Sequence, residues 1–234
     1  MLLSVIIPCY NEEAVIAETH RQLTEVMKKL SHGYELIFVN DGSRDATLRI
    51  LETLAKTDKA VKILGFSRNF GHQSAITAGL NYCSGDIAVI IDADLQDPPK
   101  IIPDMLALMK AENAHGVYAV RKRRSGEPWI RLAAIKIFYR LLRWLSNTEI
   151  PVDTGDFRMI DRKMIDQFNN LDESNKYIRG LMSWMGFKQI PFYYDREVRF
   201  AGETKYPFRK LLTLALTGIF YFSKKPLSIA TSLG

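Results

Sequence analysis

Through its first 120 residues the chain alternates short unbroken apolar runs with longer stretches whose apolar positions recur every three to four residues. Residues 2–8 form a continuous apolar run, the pattern of a strand buried on both faces. Residues 13–30 carry Val15, Ile16, Leu23, Val26, Met27 and Leu30 on one broad helical face. A second strand is predicted over 34–39, ending in the turn signal Asn40-Asp41-Gly42-Ser43, with a helix over 47–55. Strands over 61–66, 87–91 and 117–120 and a helix rich in small residues over 73–82 continue the alternation. Pro98, Pro99 and Pro103 are expected to break the chain before a helix over 105–110.

This order predicts an α/β, Rossmann-like domain with a mostly parallel central sheet and right-handed crossovers. Ligands bind such sheets beyond the carboxyl ends of the strands. Three predicted strand ends carry polar clusters: Tyr10-Asn11-Glu12, Asn40-Asp41 and Asp92-Ala93-Asp94. They are expected to build one site. No GxGxxG or Walker-type loop follows the first strand, which removes the main support for dinucleotide binding or ATP hydrolysis.

The second half differs in character. Residues 1–120 carry a net charge of −4 and residues 121–234 carry +10. A basic half suits an anionic partner such as a phosphorylated substrate, a membrane surface or nucleic acid, although a solvated basic face gives the same count. Nucleic acid is disfavoured, because the basic residues are not interleaved with a recognition motif. Residues 129–146 are predicted as a helix with an apolar face and a basic face. No run reaches the roughly 18 apolar residues of a membrane span. The nearest approach is residues 211–222. No signal-peptide pattern opens the chain. Cys9 and Cys83 have no metal-type spacing and read as buried small hydrophobes in a reducing compartment.

Asp92-Ala93-Asp94 is the most informative short motif. Two carboxylates spaced i, i+2 after an apolar strand reach one hard cation, Mg²⁺ or Mn²⁺, able to bridge the phosphates of a nucleoside diphosphate. Gln96 can add a carbonyl oxygen. Asp41 reads either as a helix cap or as an acceptor for nucleobase N–H groups. Glu12 and Glu13 open a predicted helix, where the macrodipole alone explains acids. Arg199 and Lys205 lie in a glycine-containing loop that can hold phosphate or simply be solvated. Asp156, beside Gly155, reads as a turn residue or as an orienting or basic group. His72 has weak support for a metal or base role, and the four histidines form no zinc pattern.

Together these residues resemble the family 2 glycosyltransferases of the GT-A fold, and more closely the polyprenyl-phosphate branch with dolichol-phosphate mannose synthases and bactoprenol glucosyltransferases. The landmarks are SVIIPCYNEE (4–13), NDGSRD (40–45), SRNFGHQSAITAGL (67–80), DADLQDPP (92–99), DTGDFRMIDR (153–162) and RFAGETKYP (199–207). The resemblance covers nearly the whole chain. It implies that Pro8, Tyr10, Glu12, Val39 and Asp41 hold the nucleoside. Asp92, Asp94 and Gln96 would hold the metal, with Ala93 against the nucleotide. Arg121, Arg131, Arg199 and Lys205 would face the diphosphate and an acceptor phosphate, and Asp156 matches a position proposed as catalytic.

The implied organisation is a catalytic domain over 1–205, divided into a nucleotide-sugar-binding half (1–120) and an acceptor-side half (121–205). An amphipathic juxtamembrane segment over 206–234 follows. Bactoprenol-branch members usually continue into two transmembrane helices, and this chain reaches Gly234 about where the first would begin. The implied reaction is inverting transfer of a sugar, taken from the closer branch as glucose from UDP-glucose, to undecaprenyl phosphate at the cytoplasmic face of the plasma membrane. A homo-oligomer is compatible with the sequence. Two other readings share the motifs: a soluble family 2 transferase acting on a hydroxyl, and a non-catalytic nucleotide-sugar-binding membrane module.

Overall fold

The computed structural model describes residues 1–121, 154–173 and 176–195. The elements in chain order are β1 (Leu2–Cys9), α1 (Ile16–Lys29), β2 (Gly33–Asn40), α2 (Thr47–Thr57), β3 (Val61–Gly65), α3 (His72–Tyr82) and β4 (Ile87–Ile90). A 3₁₀ turn (Pro99–Ile101), α4 (Ile102–Ala111), β5 (Gly116–Arg121), β6 (Thr154–Asp161), α5 (Arg162–Asn169), α6 (Ile178–Trp184) and β7 (Gln189–Tyr194) follow. The strands form one sheet in the order β3-β2-β1-β4-β6-β5-β7. β6 pairs antiparallel with both β4 and β5, and the other pairings are parallel.

The chain builds outward from β1 to β3, then returns to lay β4 on the other side of β1. That reversal opens a crevice above β1 and β4, where an α/β sheet takes its ligands. The alternation of side chains sends Leu3, Val5 and Ile7 of β1 to one face and Ile6 to the other. On the first face Leu23 and Met27 of α1, Leu51 of α2 and Met105 of α4 close the core. On the second, Ile76 and Leu80 of α3, Phe168 of α5 and Met182 of α6 do the same. The small residues of α3 have a packing reason. A Cβ on Gly79 would stand 2.3 Å from Cγ2 of Ile6, so the helix lies directly on β1.

Three local expectations are corrected. α1 starts at Ile16, so Glu12 and Glu13 precede it, and the Glu12 carbonyl receives the amides of Val15 and Ile16. The prolines do not hold the following helix off until residue 105. Pro99 opens the 3₁₀ turn and Pro103 sits in the first turn of α4, where a missing N–H has no consequence. Gly155 and Asp156 lie within strand β6 rather than at a turn. Among the described residues no helix is long and apolar enough to cross a membrane. The predicted helix over 129–146 and the segment 206–234 lie outside the described residues, as do Arg131, Arg199 and Lys205.

Candidate active site

The three polar clusters do meet at one edge, because β2, β1 and β4 are neighbours and end together. The loop after β1 is fastened to the loop after β2 by side-chain-to-backbone links. Asn11 N–H donates to Ser43 Oγ at 3.0 Å, and Arg44 N–H donates to Asn11 Oδ1 at 2.8 Å. Glu12 N–H donates to Thr47 Oγ1 at 2.8 Å, and Ala46 N–H to a Glu13 carboxylate oxygen at 2.8 Å. Asn11 takes a left-handed backbone (φ 54°), which asparagine tolerates better than most residues. Pro8 and Val39 are buried and paired across β1 and β2, and Tyr10 and Glu12 follow on the rim.

Asp41 is 3% exposed, and its carboxylate has an occupation neither expectation named. It receives the amides of Phe70 (2.7 Å) and Gly71 (2.9 Å) and the side-chain amide of Asn69 (2.9 Å). It does not cap α2, whose N-terminal flanking residue is Ala46. The next residue, Gly42 (φ 64°), lies so close to the Arg68 backbone that a Cβ would meet it at 2.4 Å. The segment 67–71 is therefore clamped over the end of β2 and delivers His72 as the first residue of α3.

At the end of β4, Asp92, Ala93, Asp94 and Gln96 lie together. The Ala93 carbonyl is held by Thr19 Oγ1 at 2.6 Å, and Asp94 Oδ1 receives the Gln96 amide at 3.1 Å. Leu95 has φ 57°. Asp92 Oδ1 is buried and has no hydrogen-bond partner among the described residues. Burial, together with the anions Asp156, Asp97 and Asp94, raises the Asp92 carboxyl to about 6, against the pull of His72. An orphaned carboxylate oxygen in an acidic pair fits a divalent cation. Among the described residues no cluster of three or more acidic, His or Cys side chains closes around one metal position.

Opposite Asp92 stands Asp156 on β6, 5% exposed. Arg179 of α6 grips it with Nε on Oδ1 at 2.8 Å and Nη2 on Oδ2 at 3.1 Å. His72 Nε2 lies 3.0 Å from Oδ2 and 3.6 Å from Asp92 Oδ1. Burial would raise the Asp156 carboxyl, but Arg179 and His72 hold it well below the usual carboxylate range. Burial likewise opposes charge on His72, and the two carboxylates overcome it, lifting the imidazole to about 9. Beneath them Arg158, 4% exposed, is lowered to about 10 by burial.

Arg121, expected at the diphosphate, ends β5 with its guanidinium on a second buried acid. Its Nη2 is 3.5 Å from Asp97 Oδ1, and its Nε donates to the Tyr194 hydroxyl at 3.3 Å, which in turn donates to Asp97. Thus the structure brings together Pro8, Tyr10, Glu12, Val39, Asp41, Asp92, Ala93, Asp94, Gln96, Arg121 and Asp156 along one rim. Arg179, Tyr194 and Asp97 were not singled out from the sequence, and His72, given only weak support there, stands beside them. The Phe70-Gly71-His72 segment that leads into α3 was the one local signal for His72.

The glycosyl transferase family 2 model matches residues 4–168. The chain belongs to that family. This glycosyltransferase is 51% identical over 231 residues to the uncharacterised glycosyltransferase YkcC of Bacillus subtilis, covering 99% of this chain and 71% of the relative. It is 38% identical over 234 residues to the prophage bactoprenol glucosyl transferase homolog of Escherichia coli, covering 100% of this chain and 76% of the relative. Among solved structures it is similar to the mannosyltransferase PcManGT of Pyrobaculum calidifontis in complex with GDP-Man and Mn²⁺. There the TM-score is 0.60 at 17% identity, over 94% of this chain and 63% of that one. The α/β, GT-A-like architecture expected from the motifs is thereby shown, as one domain with a mostly parallel sheet. The glycosyltransferase spans less than two thirds of the PcManGT chain.

Proposed function

We propose that this glycosyltransferase moves a sugar from a nucleotide-sugar, UDP-glucose, to a polyprenyl phosphate, undecaprenyl phosphate, with inversion and at the cytoplasmic membrane face. The observation that carries the reading is the facing arrangement at the end of β4. An unpartnered carboxylate oxygen of Asp92 looks onto a cationic cluster of His72 and Arg179 assembled on Asp156. The bactoprenol glucosyl transferase names among relatives of 37–38% identity over the full chain support the lipid-phosphate acceptor.

Asp92 and Asp94, with Gln96, would hold Mg²⁺ or Mn²⁺, which supplies charge stabilisation to the departing diphosphate. Pro8, Tyr10, Glu12 and Val39 would wall the nucleoside, with Asp41 fixing the neighbouring loop and Ala93 against the nucleotide. Arg121, Arg131, Arg199 and Lys205 would offset the phosphates of donor and acceptor. A phosphate monoester is already anionic near neutral pH, so attack on the anomeric carbon needs no strong base. Positioning and charge compensation do the work. The catalytic domain over 1–205 and a membrane-surface segment over 206–234 complete this reading.

The test is transfer of radiolabelled glucose from UDP-glucose to undecaprenyl phosphate, with EDTA and then Mg²⁺ or Mn²⁺ added. Activity should vanish with chelator, return with metal, and be lost in Asp94→Ala. Normal turnover by that variant, or transfer only to a water-soluble glycan, refutes the proposal.

A further inference from the structure

We propose that Arg158, a buried arginine outside the machinery described so far, is an electrostatic positioning residue: it makes the β6–α6 side of the crevice a phosphate subsite, filled by the phosphate monoester of the acceptor. The inference rests on the transferase reading above and says where one of its two anions lies.

Alternate residues of β6 face the layer of α3, α5 and α6. Ile160 lies in the core on that face, Arg158 follows, and Asp156 stands at the crevice. Arg158 is opposite Ile90 of β4, which belongs to the same core, and is 4% exposed. Its Nη2 donates to the Gly155 carbonyl at a long 3.4 Å, so the guanidinium extends toward the crevice end of the strand. Its buried Nε has no hydrogen-bond partner among the described residues. The neighbouring carboxylate is committed elsewhere. Asp156 Oδ1 accepts from Arg179 Nε, and Oδ2 accepts from Arg179 Nη2 and lies 3.0 Å from His72 Nε2. Asp156 attracts Arg158 through space.

As scaffold the arrangement is costly. A buried cation without a close counter-ion carries a desolvation penalty, and an apolar side chain of similar length would fill the space without it. Burial lowers the Arg158 value only to about 10, so its charge persists near neutral pH. On the β6–α6 side, among the described residues, two arginines (Arg158 and Arg179) are thus set against the one carboxylate of Asp156. The excess is positive and owes nothing to the protonation of His72. Its natural partner is an anion. In the reading above the donor diphosphate goes with Asp92 and Asp94 on the other side of the crevice, which leaves the acceptor phosphate for β6 and α6. A permanent charge fixed in a low-dielectric wall attracts that phosphate without touching it, and needs no rearrangement as it arrives.

The experiment compares Arg158→Met with Arg158→Lys in the complete chain, with UDP-glucose and undecaprenyl phosphate as substrates. Arg158→Met keeps the length and removes the charge. Its acceptor KM should rise about tenfold while its donor KM changes less than about twofold. Its thermal midpoint should stay level or rise. Arg158→Lys keeps the charge and should hold the acceptor KM within about threefold of the wild type. A lowered midpoint with an unchanged acceptor KM overturns the proposal, because Arg158 would then serve the scaffold. A rise confined to the donor KM overturns it as well, because the anion would then be the donor diphosphate. Should Arg158→Met fold poorly, Arg158→Gln takes its place against Arg158→Lys, with the same contrast expected. A second arm needs no turnover. Inorganic phosphate, without metal or donor, should raise the midpoint of the wild type and leave that of Arg158→Met where it is. Equal shifts in both proteins, or none in either, overturn the subsite. If the wild type transfers nothing to the lipid phosphate, the acceptor of the proposed reading fails, and the phosphate arm still decides whether the subsite exists.

Discussion

The rim above β1 and β2 and the rim above β5, β6 and α6 are fastened by different means. On the first, side chains bind backbone: Asn11, Ser43, Thr47 and Asp41 each take or give a hydrogen bond to a nearby loop. On the second, ions bind ions across long stretches of chain: Asp156 to Arg179 and His72, and Asp97 to Arg121 with Tyr194 between. Side-chain-to-backbone links fix the shape of a loop, whether the side chain is neutral, as Asn11 is, or a carboxylate, as Asp41 is. Ion pairs bury charge that has value where charged substrates meet, and they cost desolvation elsewhere. On the proposed reading the first rim is the donor pocket, which needs shape, and the second is the transfer centre, which needs field.

Four substitutions test the division, the largest effect first. Asp92→Asn keeps the volume but removes a charge whose Oδ1 has no hydrogen-bond partner among the described residues. Transfer should fall about a thousandfold, while the thermal midpoint in the absence of metal changes little, because the attraction to His72 at 3.6 Å is offset by repulsion from Asp156, Asp97 and Asp94. A drop in both would mean that Asp92 belongs to the scaffold. Asp41→Ala strands the amides of Phe70 and Gly71, and should cost about 3 kcal/mol in urea unfolding and weaken nucleotide binding. Tyr194→Phe removes the hydroxyl between Arg121 and Asp97 and should cost about 2 kcal/mol, with donor KM rising more than acceptor KM.

The fourth lies away from both rims and serves as the control. Glu35 is 4% exposed and bound by Ser4, Ser84 and Lys62. Burial alone would raise its carboxyl, but those partners hold it at about 2. With an unfolded value near 4.3, its contribution is complete above about pH 4.3 and is lost as pH falls toward 2. Glu35→Gln should cost about 1–2 kcal/mol at neutral pH and flatten the acid limb of the stability curve. Transfer activity should stay at the wild-type level.

The same division explains how much was legible from the chain. β1, β2 and β4 were readable because they are buried almost throughout, β3 and β5 because their apolar runs are short and bounded, and the turns carry Asn, Asp, Gly and Ser in their usual places. The Asp92-Ala93-Asp94 cluster was readable because both carboxylates sit two residues apart. Asp156 was misplaced at a turn, because a strand running antiparallel between two parallel ones has no local mark. Arg179 lies 23 residues from Asp156, and Tyr194 lies 97 from Asp97. Ionic partners at such separations leave no spacing to recognise. Asp41 was singled out, but its bonds to the 69–71 segment depend on how β2 and β3 stand side by side.

Because β6 runs against its neighbours, the strand carrying Asp156 begins, rather than ends, beside the crevice, where Val120 pairs with Thr154. β5 and β6 thus hold the two ends of the sequence between them side by side, and neither strand is hydrogen-bonded to β1, β2 or β3, so a change in that sequence need not disturb the pairing of those three strands.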